Sequence, residues 1–431
     1  MQLILFQNAH IVDPSQSLNC VGDLLVKNGM IREISSHIVP PKDTKIINAT
    51  GLTLIPGLID LHVHLRDPGF TQKEDVESGC RAAAAGGVTT LCAMPNTNPT
   101  CDTPDTVRDL LQKAKNTSAH VVPVAAITTG LEGETLTDMA ALAEAGAGAF
   151  SDDGVPVATA RLMADAMEQA AILNKPIFAH TEDRSLSKGG IVHDGYAAKQ
   201  LGVLGIPSSA EDVGTAREIA LLMSAPKNCR LHICHTSTKG ATALIADAKE
   251  KGLHITAETC PHYFMFSEEK ILSRDADYRM NPPLRTQQDK EAVFDGLVSG
   301  VLDVIATDHA PHTVEEKSDF LHAPNGVIGM ETSFSAAYTA LVVSGALSLS
   351  ELVYRMSTKP AEILGSSAGT LKIGAPADLV LIDEHESWTV DPKKLHGKSK
   401  NAVFKNCTLQ SKVKMTVLDG RIVFTDEKET I

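Results

Sequence analysis

The sequence predicts an α/β fold: a closed (β/α)8 barrel of the TIM type, with a small β-sandwich domain built from both ends of the chain. Three observations predict it. Short apolar segments recur eight times between residues 58 and 307, helix-like segments follow most of them, and both chain ends have a different, β-rich texture. Near-continuous apolar strands that alternate with helices are typical of parallel βα units, and eight such units close into a barrel.

The two chain ends share short β-like runs that are broken by Gly, Asn and Pro. Residues 1–57 contain four such runs, and the same texture returns in residues 369–383 and 415–424. Runs of this kind are typical of short strands joined by turns. We therefore predict a composite β domain from residues 1–57 plus 368–431, and a barrel domain from residues 58–367.

The predicted barrel strands are residues 58–64, 88–94, 120–127, 147–151, 176–180, 230–235, 253–257 and 301–307. Helix-like segments follow at 78–85, 104–115, 158–173, 210–223, 240–251 and 286–297. The interval between the fifth and sixth strands is about twice the usual spacing for such units. We interpret residues 188–207 as a long surface loop before a helix, with a hidden extra element as the alternative.

Composition excludes several classes of protein. The 431 residues are 43% hydrophobic and 21% charged, which is ordinary for a globular enzyme and excludes disordered and fibrous chains. The net charge of -14 argues against a nucleic-acid partner or an anionic membrane surface. Eight cysteines without a CxxC pair indicate reduced thiols. With no leader or membrane-spanning stretch expected, we predict a cytoplasmic protein.

The first predicted barrel strand ends in the segment PGLIDLHVHLRDPG, which contains His62, His64 and Arg66. Side chains alternate across a strand, so residues spaced two apart face the same way. Two imidazoles form half of a first-row metal site, and a guanidinium is suited to a bidentate grip on a carboxylate. The segment therefore predicts metal-assisted chemistry on an acidic substrate, with a polar strand end and solvated histidines as the alternative.

Other strand ends carry polar groups as well: Asn96, Asp152, Asp153, His180, His235 and Asp308. Active sites of such barrels lie at the carboxyl ends of the strands. Taken singly, each acid also fits a turn or a helix cap, and each histidine a hydrogen-bonded core position. Together, four histidines and two carboxylates fit two divalent ions that share a carboxylate. We expect structural roles for His232, His254 and His309, and leave His262 open.

Seven motifs carry a family resemblance: HVHLRDPG, MPNTNP, SDDG, FAHTED, HICHTST, RMNPPLR and ATDHAPH, followed by a C-terminal ADLVLID strand. In this order they resemble the class I dihydroorotases of the amidohydrolase superfamily, over essentially the whole length. The resemblance implies zinc-dependent, reversible hydrolysis of the cyclic amide of dihydroorotate to N-carbamoyl-aspartate, the third step of de novo pyrimidine (UMP) biosynthesis.

The resemblance also implies the metal ligands. His62 and His64 would hold one Zn²⁺, His180 and His235 the second, with Asp153 bridging both ions and Asp308 on the first. The choice of Asp153 over Asp152 rests on the family pattern alone. Asp308 is the predicted catalytic residue, which takes a proton during attack and delivers it to the leaving ring nitrogen.

Substrate contacts are implied in the same way. Arg66, Asn96 and His312 would bind the substrate carboxylate, with His64 beside them. Asn281 and the backbone around Asn325 and Gly326 would contact the ring amides. We interpret residues 313–324 as a flexible loop over the barrel mouth, and a role as a lid is left open.

Two alternatives stay open at this stage. Hydantoinases, dihydropyrimidinases and allantoinases share the fold and chemistry, but they bridge their metals with a carboxylated lysine, and residues 149–153 contain none. A non-catalytic scaffold for aspartate transcarbamoylase would lose metal ligands, and all six predicted ligands are present. The resemblance further implies a homodimer, with association with aspartate transcarbamoylase as an open expectation.

Overall fold

The computed structural model describes residues 3–426 and contains the predicted parallel barrel. Each barrel strand pairs in parallel with the next strand of the series. The barrel strands, numbered first to eighth in chain order, are Leu58–Val63, Val88–Ala93, His120–Ala125, Ala149–Phe150, Ile177–Ala179, Leu231–Ile233, Ile255–Thr259 and Val304–Ile305. The fold class is confirmed, and each observed strand lies within or next to its predicted segment.

The barrel closes at the carboxyl ends of its first and eighth strands. Val63 forms a parallel bridge with His309, and the His64 amide donates to the His309 carbonyl at 2.8 Å. The buried Asp60 carboxylate accepts hydrogen bonds from the amide and hydroxyl of Thr307, at 3.1 and 2.5 Å. These closing contacts therefore hold together the rim on which the predicted site residues lie.

Helices surround the barrel and begin where the sequence offers capping side chains. Asp75, Thr103 and Thr286 form capping boxes at the first residues of their helices. None of the helices between residues 3 and 426 combines the length and apolar character that crossing a bilayer requires. The α-helices are Val76–Ala85, Pro104–Lys113, Met139–Ala145, Ala160–Ile172, Arg184–Ser187, Tyr196–Leu201, Ser208–Leu222, Lys239–Glu250, Pro261–Met265, Gln287–Ser299, Ser333–Ala337, Leu349–Val353 and Lys359–Leu364, with π-helical turns at Tyr338–Val342 and Tyr354–Thr358.

The segment between the fifth barrel strand and its long helix is structured, so the interpretation of residues 188–207 as a loop was wrong. Val192–His193 and Gly205–Ile206 form a small parallel sheet, and the helix Tyr196–Leu201 lies between them. The segment folds because its apolar side chains form a separate cluster with residues of two other rim segments, including Ile271 and Phe320. The alternative of a hidden extra element was correct.

A second, mixed sheet combines both ends of the chain. Its strands are Leu3–Asp13, Leu18–Lys27, Met30–Ser35, Lys45–Asn48, Thr53–Pro56, Leu379–Thr389, Thr408–Leu418 and Arg421–Thr425. The two ends join where residues 379–382 pair antiparallel with residues 53–56. This sheet has its own apolar core. The predicted domain limits stay predictions: residues 1–57 with 368–431 for the β domain, and residues 58–367 for the barrel. Residues 1–2 and 427–431 lie outside the described residues.

Candidate metal centre and substrate cavity

Four histidines from three barrel strands surround the carboxylate of Asp153. Asp153 Oδ1 lies 3.3 Å from His62 Nε2, 3.4 Å from His180 Nδ1 and 3.4 Å from His235 Nε2, and Asp153 Oδ2 lies 3.4 Å from His64 Nε2. All five side chains are buried. The sequence-predicted ligands for two cations are thus brought together, with the carboxylate between the two pairs of imidazoles.

The sixth predicted ligand, Asp308, lies on the side of the first histidine pair. Its Oδ1 is 3.1 Å from His64 Nε2 and 3.7 Å from His62 Nε2. Asp152, by contrast, points away from the cluster and accepts hydrogen bonds from the amides of Ile127 and Thr128, at 2.7 and 3.0 Å, and from the Thr128 hydroxyl. Of the two adjacent acids, only Asp153 therefore has its carboxylate among the histidines.

Hydrogen bonds on the far side of three imidazoles determine which ring nitrogen faces the cluster. The acceptors are Glu258 Oε1 at 2.8 Å from His62 Nδ1, Asn96 Oδ1 at 2.7 Å from His64 Nδ1, and Glu182 Oε2 at 3.1 Å from His180 Nε2. When one nitrogen of a neutral imidazole donates its proton, the other presents a lone pair. In their neutral form, these three imidazoles therefore turn a lone pair toward Asp153, an arrangement typical of metal-ligating histidines.

The electrostatics of the cluster also fit bound cations. Burial opposes the charged form of His62, but the adjacent Asp153 outweighs it and raises the pKa of His62 well above its usual value. Against the same burial, Asp153 and Glu182 raise the pKa of His180 to about 10. Burial would raise the pKa of Asp153, but the surrounding histidines hold it well below its usual range. His62 Nε2 is nevertheless buried without a hydrogen-bond partner among the described residues. Imidazole nitrogens and carboxylate oxygens so arranged suit divalent first-row cations.

A cavity of about 260 Å³ opens above this cluster. Apart from the histidine at 62, which lies fully buried behind Asp153, every predicted site residue lines it. The lining residues are His64, Arg66, Asn96, Asp153, Gly154, His180, His235, Asn281, Asp308, Ala310, His312, Asn325 and Gly326. Five of the six predicted metal ligands and all predicted substrate contacts thus line one cavity, while the role of each residue stays a prediction.

Arg66 and His312 lie side by side in the lining of the cavity. Arg66 donates from Nε to the Pro311 carbonyl at 3.3 Å, and its Nη2 lies 3.4 Å from His312 Nε2. Burial, and then the nearby positive charges led by Arg66 and Lys73, lower the pKa of His312 to about 3. His312 is therefore neutral, with Lys73 Nζ 3.4 Å from Nδ1 and the Asn325 carbonyl 2.9 Å from Nε2.

Two of the predicted ring contacts, Asn325 and Gly326, adjoin His312, and the third, Asn281, lies beside Glu182. Asn281 donates from Nδ2 to Glu182 at 3.4 Å. Gly326 has a φ of +138°, and a Cβ there would lie 2.8 Å from both the Cβ and the carbonyl oxygen of Ala310. Only glycine fits this conformation and this close approach without strain. The backbone conformation beside the cavity therefore requires a glycine at position 326.

The predicted loop, residues 313–324, packs onto the rim through three of its side chains. Lys317 donates to the carbonyls of Arg279, Pro324 and Gly326, at 3.2, 2.9 and 2.9 Å. Glu316 pairs with Lys73 at 2.8 Å, and Phe320 is buried. These contacts hold the segment beside Gly326, and its role as a lid stays open.

Sequence reasoning missed Glu258 and Glu182, which contact the histidines from behind. An acid within the apolar seventh strand was the available signal for Glu258, because an ionised side chain inside a barrel requires a partner. His232 and His309 are buried and hydrogen-bonded, and His262 is buried, with a pKa lowered to about 4 chiefly by that burial. None of these three histidines lines the cavity.

Comparison with known sequences places this arrangement among cyclic amide hydrolases. A family model described as dihydro-orotase-like matches residues 51–241, and a model of the amidohydrolase family matches residues 299–424. The dihydroorotase of Geobacter metallireducens is 44% identical over 423 residues, which cover 98% of this chain and 99% of the relative. That of Syntrophus aciditrophicus is 43% identical over 427 residues, covering 98% of this chain and 100% of the relative.

Solved structures with the same fold include hydantoinases. The L-hydantoinase (dihydropyrimidinase) from Arthrobacter aurescens superimposes with a TM-score of 0.89 at 25% identity, covering 100% of this chain and 98% of the other. A D-hydantoinase gives a TM-score of 0.87 at 25% identity, covering 99% of this chain and 96% of the other. The fold of essentially the whole chain is therefore shared with hydantoinases.

Proposed function

The chain belongs to the dihydroorotase family, and on that premise we propose that it catalyses the reversible hydrolysis of the cyclic amide of dihydroorotate to N-carbamoyl-aspartate. Full-length similarity to dihydroorotases at 42–44% identity supports the substrate. The observation that carries the proposal is the cavity above the cluster of Asp153 and its four histidines, with Arg66 in the cavity lining. That cavity combines a cation-binding floor with a guanidinium for the substrate carboxylate.

We propose that the floor holds two zinc ions per subunit. His62, His64 and Asp308 would hold one ion, His180 and His235 the other, and Asp153 would lie between them. The directed lone pairs and the buried, unpartnered Nε2 of His62 support this assignment. When bound, such ions activate water at neutral pH and polarise the carbonyl of the amide.

Asp308 is the proposed proton carrier. Its Oδ1 lies beside His64 at 3.1 Å, and the residue lines the cavity, where an attacking water and the ring nitrogen would both be in reach. As a carboxylate it would accept the proton of the attacking water and deliver it to the ring nitrogen as the C–N bond breaks. General acid–base catalysis of this kind contributes ~10²- to 10⁴-fold.

The substrate carboxylate is assigned to Arg66, Asn96 and His312. Because Asn96 Oδ1 accepts from His64, its amide NH₂ is left to donate into the cavity. Arg66 uses Nε for a backbone carbonyl and keeps guanidinium donors for an anion. We assign Asn281 and the backbone of Asn325 and Gly326 to the ring amides, since they line the same cavity.

We place the chain in class I of the family, and the absence of a bridging lysine supports this. In residues 149–153 the acidic pair Asp152–Asp153 stands where the hydantoinases would use a carboxylated lysine. The test is zinc analysis of the purified protein, combined with turnover of dihydroorotate, hydantoin and allantoin. Two zinc ions and a preference for dihydroorotate are expected. Faster hydantoin turnover would move the protein to another activity, and an inactive, zinc-free protein would revive the scaffold alternative.

The remaining expectations rest on the resemblance alone. We propose a homodimer in the cytoplasm, with association with aspartate transcarbamoylase as an open option, and light scattering after size-exclusion chromatography, with and without that enzyme, tests the assembly. A mass of one chain, 45.8 kDa, would overturn the dimer. The domain limits at residues 57 and 368 are tested by limited proteolysis.

A further inference from the structure

Glu258 is the penultimate residue of the seventh barrel strand, Ile255–Thr259, and its side chain is completely buried. Its Oε1 lies 2.8 Å from His62 Nδ1, and its Oε2 lies 3.1 Å from His232 Nε2. The backbone amide of His235 donates to Oε1 at 3.3 Å. The charge of this carboxylate is therefore balanced by two imidazoles and a backbone amide.

The contacts of Glu258 form a continuous chain behind the cluster. His232 is itself fixed, because its Nδ1 lies 2.9 Å from the hydroxyl of Thr256. From Thr256 the chain runs through His232 and Glu258 to His62, whose Nε2 faces Asp153 at 3.3 Å. Each member is hydrogen-bonded to the next, His62 Nε2 at the end of the chain makes no hydrogen bond with the described residues, and such a buried network fixes side-chain orientation.

Glu258 also connects the two halves of the proposed centre. It contacts the side chain of His62, assigned to one ion, and the backbone of His235, assigned to the other. The main chain at His235 has a φ of +35°, an uncommon conformation for a non-glycine residue. The hydrogen bond from the His235 amide therefore helps to hold the backbone that presents this histidine.

We propose that Glu258 is a positioning residue that holds His62 with its proton on Nδ1, directs His62 Nε2 at the cation, and strengthens His62 as a ligand. The inference rests on the metal centre of the proposed function but not on the identity of the substrate. A carboxylate behind a ligating histidine raises its basicity, and loss of such a partner typically weakens metal binding by about 10- to 100-fold. Glu182 contacts His180 in the same way, but its side chain is 13% exposed, so water screens it more than Glu258.

The test is the substitution Glu258→Gln, which keeps the shape of the side chain and removes its charge. The measurement is the zinc dissociation constant of the folded protein, obtained by competition with a chromophoric chelator. We expect zinc to bind about 10- to 100-fold more weakly. The matched control is Glu218→Gln, the same change at another buried glutamate, whose hydrogen bonds go to Arg217. We expect the control to keep the zinc affinity of the unsubstituted protein.

A second readout needs no substitution. In ¹⁵N-histidine spectra of the zinc-loaded protein, His62 is expected to show a protonated Nδ1 and a metal-bound Nε2. A merely structural glutamate would not impose this tautomer. Metal bound to His62 Nδ1, or an unchanged zinc affinity in folded Glu258→Gln, overturns the inference. If Glu258→Gln does not fold, Glu258→Asp keeps the charge but shortens the reach, and the same loss of affinity is expected.

The inference and the proposed function fail in different ways. Weaker zinc binding in Glu258→Gln, together with no turnover of dihydroorotate by the unsubstituted protein, would uphold the positioning role and refute the substrate. Normal zinc affinity in Glu258→Gln, together with turnover of dihydroorotate by the unsubstituted protein, would refute the positioning role and uphold the function.

Discussion

The side chains of Asp152 and Asp153 point in opposite directions although the residues are adjacent. Asp152 bonds to the backbone after the third barrel strand, with Ile127 N at 2.7 Å, whereas Asp153 Oδ1 lies 3.3 Å from His62 Nε2. One carboxylate thus joins two neighbouring strand ends, and the other lies in the cation-binding cluster. Asp152 therefore contributes to stability, and Asp153 is placed for the proposed chemistry.

This division predicts different results for the same substitution at the two positions. Asp153→Asn is expected to lose zinc. Its activity should fall by more than about 100-fold, which is the upper end of the loss expected when a residue that only supports a metal ligand is replaced. Asp152→Asn should keep its zinc and lose about 1–3 kcal/mol of stability, because a buried amide replaces an acceptor beside Thr128. Elemental analysis and urea unfolding measure the two effects. Zinc loss in Asp152→Asn with full zinc in Asp153→Asn would reverse the assignment.

Asp308→Asn tests the proton carrier. The amide cannot take a proton from the attacking water, so kcat is expected to fall ~10²- to 10⁴-fold, with KM less affected. Because Asp308 is also assigned to the first ion, the rates are compared per zinc-loaded molecule. Near-normal kcat at full zinc occupancy would contradict the role.

Arg66→Lys tests the carboxylate contact. A lysine keeps the charge but not the planar pair of donors, and hydrogen bonds to charged groups contribute about 1.5–3 kcal/mol. We expect KM for dihydroorotate to rise at least about 10-fold, with kcat less changed. Arg108→Lys, the same change at an exposed position of the helix Pro104–Lys113, is the control. An unaltered KM in Arg66→Lys means that the carboxylate binds elsewhere.

Most of the site was predictable because the barrel topology converts strand ends into neighbours. His62, His180 and His235 follow apolar strands in the sequence, and the structure places them around one carboxylate. The choice between Asp152 and Asp153 was not predictable from strand alternation, because the fourth strand contains only residues 149–150 and the acids lie beyond it. Glu258 was missed because its partners, at residues 62 and 232, depend on three-dimensional contacts between strands.

The region between the fifth and sixth strands shows a different limit of the sequence. Its strands, Val192–His193 and Gly205–Ile206, have two residues each, which is too short for an alternating pattern. This region is held in place by apolar contacts with residues 271 and 320, which are distant in the sequence. Tertiary packing therefore determines structure where local periodicity gives no signal.

His312 predicts a pH dependence of stability. Its pKa is lowered to about 3, first by burial and then by Arg66 and Lys73, while an unfolded histidine keeps a pKa of about 6.5. Between these values the unfolded chain binds a proton that the folded protein does not, so stability falls as the pH decreases. From pH 7 to pH 5 this histidine should cost about 2 kcal/mol.

The corresponding experiment is urea unfolding of His312→Asn at pH 7 and pH 5. The variant should lose about 2 kcal/mol less than the unsubstituted protein over this interval. His322→Asn, at an exposed histidine of the same rim segment, is the control and should not reduce the loss. Equal losses in all three proteins would show that His312 titrates normally in the folded state.

Gly326→Ala tests whether the close approach at the cavity wall sets substrate binding. The added Cβ would lie 2.8 Å from the Cβ of Ala310 and 3.0 Å from Cδ2 of His312, so the wall must shift.

Gly345→Ala is the matched control, because Gly345 also has a positive φ, of +79°, but no atom lies within 4 Å of the added methyl group. The control should lose only about 1 kcal/mol of stability, from backbone strain. Gly326→Ala should lose about 1–3 kcal/mol more, from overpacking and from a φ of +138° that lies further from the left-handed helical region, and its KM should rise because His312 is displaced. Equal unfolding free energies for the two variants, with KM unchanged in both, would mean that the wall yields freely and that residue 326 does not position the substrate.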